Sequence, residues 1–244
     1  MPLRTLVIGI PLPHVSFDNH SFASAPSISE YKRLIVEMAA VSRVVDEITE
    51  GSAEHTNFAG QPIANAGTTA RAFGLADLLA MRAREAGHFF AHGGAALCIA
   101  HPDAAHEGIS GCEQWHHYQW LPEPDAFTYR DALLPGIGES PVELTDPGHP
   151  FADYVALYGA RMAYRTHLKD STAPATTRVF ARSAGGAAVA FDAPVAGGHI
   201  VFVPPLQNPD QDRSGVADTL FQCFERLHDS RQAQPPDAVP KEAP

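Results

Sequence analysis

Residues 75–100 combine a helix, a glycine pair and a strand, and this order restricts the fold more than any other stretch. Gly93 and Gly94 are expected to end the helix, because glycine readily takes the left-handed backbone that closes helices. The apolar run AALCIA, residues 95–100, follows at once as a strand. A helix that leads directly into a buried strand is typical of a βαβ unit, so the stretch predicts an α/β fold. The apolar positions with helical spacing are Leu75, Leu78, Leu79, Ala83, Ala86 and Phe90.

Other apolar runs predict further strands. Residues 5–10 (TLVIGI) are continuously apolar and β-branched, as expected for a strand buried on both faces of a parallel sheet, and residues 33–38 (RLIVEM) are a second strand candidate. Pro11 and Pro13 end the first strand, and residues 14–31 have mixed polarity and are predicted to form a long loop. Towards the C-terminus, the runs RVFARS, AAVAFDAPV and GHIVFVPP are separated by glycine-containing turns and predict antiparallel strands.

Three further helices are predicted, at residues 42–51, 149–162 and 214–230. Ser42 is the expected N-cap of the first. The last is expected to bury Val216, Leu220, Phe224 and Leu227 on one face.

The predicted elements form a single α/β domain over residues 1–229. Residues 52–72 are predicted to be a loop. Residues 102–148 lack periodicity and form a long insertion. Residues 230–244 are rich in proline and are predicted to be a disordered tail.

Composition excludes some partners. The chain has 244 residues, 45% of them hydrophobic, and a formal net charge of −11. Such an acidic chain repels phosphates, so we expect no nucleic-acid partner, and no apolar run is long enough for a membrane span. Three cysteines without paired spacing predict free thiols and a cytoplasmic location. The sequence leaves a homo-oligomer open.

Three segments resemble the class I glutamine amidotransferase-like superfamily, in particular its non-amidotransferase branches such as the trehalose-utilisation-like proteins. These segments are HFFAHGGAALCIAHP (88–102), DPGHPF (146–151) and VAGGHIVFVPP (195–205). The resemblance implies a flavodoxin-like three-layer α/β sandwich, with a mostly parallel sheet and an antiparallel hairpin near the C-terminus. It does not by itself imply an activity.

The chain departs from the active amidotransferases of this superfamily. Those enzymes place a nucleophilic cysteine at a tight strand-to-helix turn flanked by glycines. Cys98 instead lies inside an apolar run, and no Gly-x-Cys-x-Gly pattern occurs. The family's His-x-Glu pair near the C-terminus is also absent. We therefore expect Cys98 to be a buried residue of the central strand.

Polar residues follow the first and third predicted strands. Because α/β sheets bind ligands beyond the carboxyl ends of their parallel strands, we expect these residues to face one cleft. Asp18 and His20 would then act as a general base and its orienting partner. Alternatively, Asp18 and Asn19 form only a turn. The candidates are His14, Asp18, Asn19, His20, His101 and Asp103.

Residues 98–122 hold a dense group of metal-ligating side chains. Zinc requires three or four such donors, but the spacing matches no standard zinc finger and no H-E-x-x-H helix. We interpret the segment as a His-rich surface loop and keep a metal site as the alternative. The metal candidates are His101, His106, Cys112 and His116. The sequence indicates no other cofactor.

Trp115 and Trp120 lie in the segment QWHHYQWLPEP, residues 114–124. Their side chains could stack on a planar ligand or anchor a partner. They could equally pack the insertion onto the core. The sequence leaves both interpretations open.

Two functions agree with these observations. The first is a non-catalytic domain that binds a small molecule or a protein on an amidotransferase-like scaffold. The second is a hydrolase, in one version metal-dependent, with its site at the C-terminal edge of the sheet. The sequence does not decide between a binding protein and an enzyme.

Overall fold

The computed structural model describes residues 4–41, 43–44, 54–56, 62–64, 70–100, 108–109, 112–125, 127–138 and 141–233. The strands in chain order are β1 (Thr5–Ile8), β2 (Phe17–His20), β3 (Arg33–Glu37), β4 (Glu54–Thr56), β5 (Pro62–Ala64), β6 (Ala95–Ile99), β7 (Gly108–Ile109), β8 (Cys112–His116), β9 (Leu133–Gly138), β10 (Val142–Leu144), β11 (Tyr164–Leu168), β12 (Arg178–Ser183), β13 (Ala188–Val195) and β14 (Gly198–Val203). The helices are α1 (Ala70–Ala91), α2 (Tyr129–Ala132), α3 (Ala152–Tyr158) and α4 (Arg213–Ala233).

Ten of these strands form one mixed sheet, which confirms the predicted α/β class. Strands β2, β1, β3, β6 and β14 lie side by side in that order and run parallel to one another. The antiparallel part continues from β14 through β13 and β12 to β10, and β11 and β9 extend it from β13. Two small ribbons, β4–β5 and β7–β8, lie outside the sheet.

Helices cover both faces of the sheet. Alternate strand residues point to opposite sides, so each face presents apolar side chains on which a helix packs. On one face, Leu6, Leu34 and Ala96 share a hydrophobic core with residues of α1. On the other face, Val7, Ile35 and Leu97 share a core with residues of α3 and α4. The residues of α4 predicted to be buried, Val216, Leu220, Phe224 and Leu227, are all in this second core.

The predictions for the glycine-containing turns agree with the structure. Gly93 ends the hydrogen-bonded part of α1 with a φ of 77°, and its N–H donates to the carbonyl of Phe90. Ala196 and Gly197 join β13 to β14 with φ values of 47° and 91°. A left-handed pair of this kind matches the twist of a two-residue hairpin. The predicted strand at residues 178–183 has the bounds of β12.

Several predictions are wrong in ways that have a physical reason. Residues 14–31 contain β2, whose alternating polarity reflects an edge strand rather than a loop. Strand β11 was not predicted, and the short strands and α2 within residues 102–148 are too brief to give a periodic signal in the sequence. The predicted loop at 52–72 includes the β4–β5 ribbon and the start of α1.

Helix boundaries also differ from the predictions. Helical backbone begins at residue 39, before the expected cap at Ser42, which lies outside the described residues. Helix α4 continues to Ala233, so the first residues of the predicted tail are helical. Residues 234–244 lie outside the described part of the chain. Among the helices of the described residues, none has the length and apolar character that a membrane span requires.

The guanidinium of Arg82 is buried between α1 and the segment that follows β2. Its side chain is 1% exposed. It donates hydrogen bonds to the backbone carbonyls of Phe22 (3.0 Å), Ala25 (2.6 Å) and Pro26 (3.0 Å). It also contacts the Glu85 carboxylate at 2.7 Å. One charged group thus satisfies three carbonyls that have left the sheet and fixes their position on the helix.

Replacing Arg82 with Met should destabilise the protein strongly. The change leaves three carbonyls and the Glu85 carboxylate without their donor, and removal of one partner of a buried charge pair typically costs about 3–5 kcal/mol. Urea denaturation measures the free energy of unfolding. Arg84→Met on the same helix is the matched control, because Arg84 is exposed and should lose less than about 0.5 kcal/mol. Equal losses in the two variants would contradict the assigned role of Arg82.

Candidate functional site

A cavity of about 380 Å³ lies at the carboxyl ends of β1 and β2. Its wall begins at Gly9, the first residue after β1, which has a φ of +88°. A side chain at this position would collide with Ala40 and Arg43. Glycine is therefore needed here for both its backbone conformation and its lack of a Cβ. The cavity is lined by Gly9, Ile10, Pro11, Asn19, His20, Ser21, Phe22, Ser24, Ala40, Arg43 and Val44.

The polar groups of this cavity, which we call the β1–β2 cavity, come mainly from the end of β2. His20 is the last residue of that strand, and Ser21 and Ser24 follow it. The two hydroxyl oxygens of Ser21 and Ser24 are 2.9 Å apart and share a hydrogen bond. Hydroxyl groups can donate or accept, so this pair can adapt to either kind of ligand atom.

Arg43 is the cationic group of the cavity wall, but its charge is already paired. Its guanidinium donates to the carbonyl of Gly9 at 2.6 Å and forms an ion pair with Glu37. This arrangement links the residue after β1 to the carboxyl end of β3. It leaves the cavity without an uncompensated arginine charge.

Asn19 and Asp18 have structural partners. The Asn19 side chain accepts from the Leu12 N–H at 2.8 Å and donates to the Leu12 carbonyl at 3.0 Å. This bidentate contact holds the connection between β1 and β2. Asp18 pairs with Arg4 and accepts a hydrogen bond from the Tyr31 hydroxyl at 3.2 Å. The Asp18 carboxylate also helps to raise the pKa of Tyr31, after the effect of burial.

His14 does not meet Asp18. Its ring stacks on Phe221 of α4, with 4.5 Å between ring centroids, and packs against Phe17. Both Phe17 and α4 belong to the second core. Asp18 follows Phe17 in β2 and therefore points to the opposite face of the sheet. The expectation that His14 and Asp18 share a cleft is thus corrected by the alternation of the strand.

The other residues predicted to bind a ligand or a metal ion lie in different parts of the chain. Trp120 is fully buried, donates from Nε1 to the His117 carbonyl at 3.0 Å and packs edge-on against Phe22. It is therefore part of the core and not available to a ligand. Trp115 is partly buried against the same core. His101, Asp103 and His106 lie outside the described residues, as does the side chain of Cys112.

Cys98 has the predicted buried position. It lies within β6, in register with Val36 of β3 and Phe202 of β14, and its exposure is 0%. Burial raises the pKa of the thiol far above its usual range. Because the thiolate is the nucleophilic form of cysteine, this side chain is not suited to nucleophilic attack.

His116 is the one metal candidate whose side chain the structure describes. It is 5% exposed, and its Nδ1 accepts a hydrogen bond from the Tyr118 N–H at 3.4 Å. Burial and the nearby charge of Arg130 lower its pKa from 6.5 to about 4. The imidazole is therefore neutral near pH 7. Over the described part of the chain, no three His, Cys, Asp or Glu side chains are grouped closely enough to hold a metal ion.

A second polar cluster was not predicted from the sequence. His149 stacks on Phe180 with 3.8 Å between centroids, and its Nε2 lies 3.2 Å from Asp192 Oδ2 without hydrogen-bond alignment. His199 Nδ1 lies 3.9 Å from the same oxygen. His149 belongs to the segment DPGHPF. Its contacts with Phe180 of β12 and Asp192 of β13 place this segment against those two strands. The buried Asp192 within an apolar strand is the sequence signal that could have identified this cluster.

Comparisons with known proteins do not assign the chain to a family. No family model matches it, and no curated protein matches it. Two solved structures similar to the chain are each described as a cytoplasmic protein from Salmonella typhimurium. The first has 11% identity and a TM-score of 0.49, covering 92% of this chain and 98% of the other. The second has 12% identity and a TM-score of 0.45, covering 93% and 99%.

A third similar structure, from Thermoplasma acidophilum, is described as a candidate component of GMP synthase. It has 10% identity and a TM-score of 0.40, and covers 95% of this chain and 99% of the other. At these TM-scores, none of the three likenesses supports an argument about a site or a function.

The lowered pKa of His116 predicts a specific dependence of stability on pH. Between about pH 6.5 and pH 4 the unfolded chain binds a proton at this imidazole and the folded chain does not. Stability therefore falls as the pH is lowered through this window, and His116 contributes no pH dependence above it. In urea denaturation, the free energy of unfolding of the wild type minus that of His116→Gln should decrease from pH 6.5 to pH 4. A difference that stays constant from pH 7 to pH 4 would show that His116 titrates normally.

Proposed function

We propose that this chain is a small-molecule-binding domain on an amidotransferase-like scaffold, with its ligand in the β1–β2 cavity. The observation that carries this proposal is the position of the cavity. It lies where two parallel strands end, and open α/β sheets bind their ligands at this edge. Its volume of about 380 Å³ falls within the range of small-molecule sites.

The scaffold proposed here is a flavodoxin-like three-layer sandwich. Numbered in chain order, the five parallel strands have the spatial order 2-1-3-4-5, the order of flavodoxin-like sheets. Helices on both faces support the same architecture. The eight-residue connection between β1 and β2 lacks the helix that usually crosses between parallel strands. This departure opens the cavity at the sheet edge.

The lining of the cavity indicates an uncharged ligand with an apolar body. Ile10, Pro11 and Phe22 provide apolar contact. Ser21 and Ser24 provide adaptable hydrogen bonds, and the Arg43 charge is compensated by Glu37. A ligand anion would gain little from a guanidinium that already has a carboxylate partner. A small ring compound with a hydroxyl or amide group fits this set of side chains.

Binding without catalysis is supported by the state of the candidate catalytic groups. The Cys98 thiol is buried inside a strand. Asp18 pairs with Arg4 and Tyr31, and His14 lies on the opposite face of the sheet from Asp18. Among the described catalytic candidates, only His20 lines the cavity, together with the ligand-binding candidate Asn19. The net charge of −11 supports a small molecule over a nucleic acid.

Binding can be tested with a library of uncharged ring fragments that carry hydroxyl or amide groups. Chemical-shift changes in ¹H–¹⁵N spectra should concentrate at Gly9, Ser21 and Ser24. Ser24→Trp fills the cavity and should weaken binding at least about tenfold, the effect of losing some 1.4 kcal/mol of contact. Ser29→Trp is the matched control, since Ser29 is exposed in the same segment and does not line the cavity.

Two outcomes would overturn this proposal. One is a set of shifts that lies elsewhere on the protein or that survives Ser24→Trp unchanged. The other is turnover of p-nitrophenyl esters by the wild type that Ser24→Trp abolishes without a change in melting temperature. The second result would establish the hydrolase alternative at the same edge of the sheet.

Cys98→Ala should affect stability and leave fragment binding unchanged. The substitution removes one buried sulfur atom, so the loss should resemble that for one buried methyl group, about 1 kcal/mol. Urea denaturation and the fragment titration measure the two properties on the same sample. Weaker fragment binding at unchanged stability would mean that the thiol takes part in the site.

A further inference from the structure

A second concave site lies on the insertion and shares no lining residue with the β1–β2 cavity. It is a cleft of about 500 Å³ between the end of β8 and α2, which we call the β8–α2 cleft. Beneath it, Tyr118, Trp120 and Tyr129 are fully buried in the first core. The polar residues that line the cleft therefore belong to a segment that is anchored in the first core. Its lining residues are His116, Gln119, Glu123, Thr128, Arg130 and Asp131.

The two carboxylates of the cleft are held by donors of the cleft wall itself. Glu123 Oε1 accepts the Tyr129 N–H at 3.2 Å. Asp131 Oδ2 accepts the Thr128 hydroxyl at 2.6 Å. Each contact uses one oxygen and leaves the other oxygen of the carboxylate for a further donor. Each carboxylate thus has one hydrogen-bond partner within the protein.

Arg130 lines the same cleft but pairs with neither carboxylate. Among the described residues, no salt bridge or hydrogen bond joins its guanidinium to either carboxylate, whose partners are Tyr129 and Thr128. Arg130 and Asp131 are consecutive in α2 and so project about 100° apart. The cleft therefore contains separated positive and negative charges, unlike the compensated Arg43–Glu37 pair.

His116 adds a second hydrogen-bond donor to the cleft, in addition to the guanidinium of Arg130. Its Nδ1 accepts from the Tyr118 N–H, so the neutral ring carries its proton on Nε2. Among the described residues, Nε2 has no hydrogen-bond partner, although His116 is only 5% exposed. The charge of Arg130 is close enough to affect this imidazole. Arg130 and His116 therefore offer hydrogen-bond donors to the cleft, and Glu123 and Asp131 offer acceptors.

We propose that the β8–α2 cleft binds a small zwitterion, a molecule with one carboxylate and one ammonium group. The ligand carboxylate would accept from Arg130 and His116, and its ammonium group would donate to Glu123 and Asp131. A simple anion would gain the first contacts but would lie near two carboxylates. A simple cation would gain the second contacts but would lie near an unpaired guanidinium. Only a ligand with both charges provides a partner for the guanidinium as well as for the carboxylates of the cleft.

The proposal can be tested by calorimetric titration of the intact chain with unbranched amino acids of increasing length, from glycine to 5-aminovalerate. Butyrate and butylammonium are the matched probes for 4-aminobutyrate, because each retains one of its two charges. We expect at least one amino acid of the series to bind, and its singly charged analogues to bind at least tenfold more weakly. Arg130→Gln and Glu123→Gln should each weaken that binding at least tenfold.

The variants are chosen to keep the fold intact. Glu123→Gln keeps an oxygen that can accept the Tyr129 N–H, and Arg130 is exposed. Arg165→Gln, at an exposed position of β11 outside the cleft, is the control and should bind as the wild type does. Ser24→Trp should also leave zwitterion binding unchanged, which separates this site from the β1–β2 cavity. The proposal would be overturned if the best-binding amino acid of the series bound no more tightly than its own singly charged analogues, or if no probe bound at about 10 mM, a concentration far above the Kd of a functional site.

Discussion

The buried guanidinium of Arg82 is the interaction on which the sheet edge depends. The chain leaves β2 at His20 and must cross over α1 before it enters β3, so its carbonyls lose their sheet partners. Arg82 supplies donors for the carbonyls of Phe22, Ala25 and Pro26, and Glu85 accepts the Ile28 N–H at 3.3 Å. A buried polar group without a partner is costly, so this network determines where residues 22–28 can lie. The wall of the β1–β2 cavity at Phe22 and Ser24 has a defined position for this reason.

The alternation of side chains along β2 explains why the candidate residues separate. Phe17 and Asn19 face the second core, and Asp18 and His20 face the first. The connection before β2 carries His14 onto α4, the helix on the second face. Residues that are neighbours in the sequence thus serve three purposes: core packing, loop fixation and cavity lining. Ionisable residues that are close in the sequence of a strand can form one site only where their side chains point to the same face of the sheet.

The sequence predicted the central strands, α1 and α4 because their apolar residues have a clear period or form a continuous run. It also predicted the burial of Cys98, since the apolar neighbours of that residue leave no room for an exposed turn. It failed for β2, α2 and β9, which are too short to show a periodic pattern. The sequence did not identify Glu123 and Arg130 as candidate site residues, because the cleft that they line forms only through tertiary packing. The buried Trp120 was ambiguous for the same reason, since burial and exposure give an aromatic residue the same sequence pattern.

The two concave sites differ in how their charges are balanced, and this difference determines their chemistry. In the β1–β2 cavity, Arg43 is compensated within the protein by Glu37, so a ligand contributes shape and hydrogen bonds rather than charge. In the β8–α2 cleft, Arg130 and the carboxylates are held apart, so a ligand must supply the compensating charges. Charges in an exposed cleft are screened by salt, whereas apolar contact is not weakened in this way. We therefore expect binding of the proposed zwitterion in the cleft to depend on ionic strength, and binding of the proposed uncharged ligand in the cavity to depend mainly on its fit to Ile10, Pro11 and Phe22.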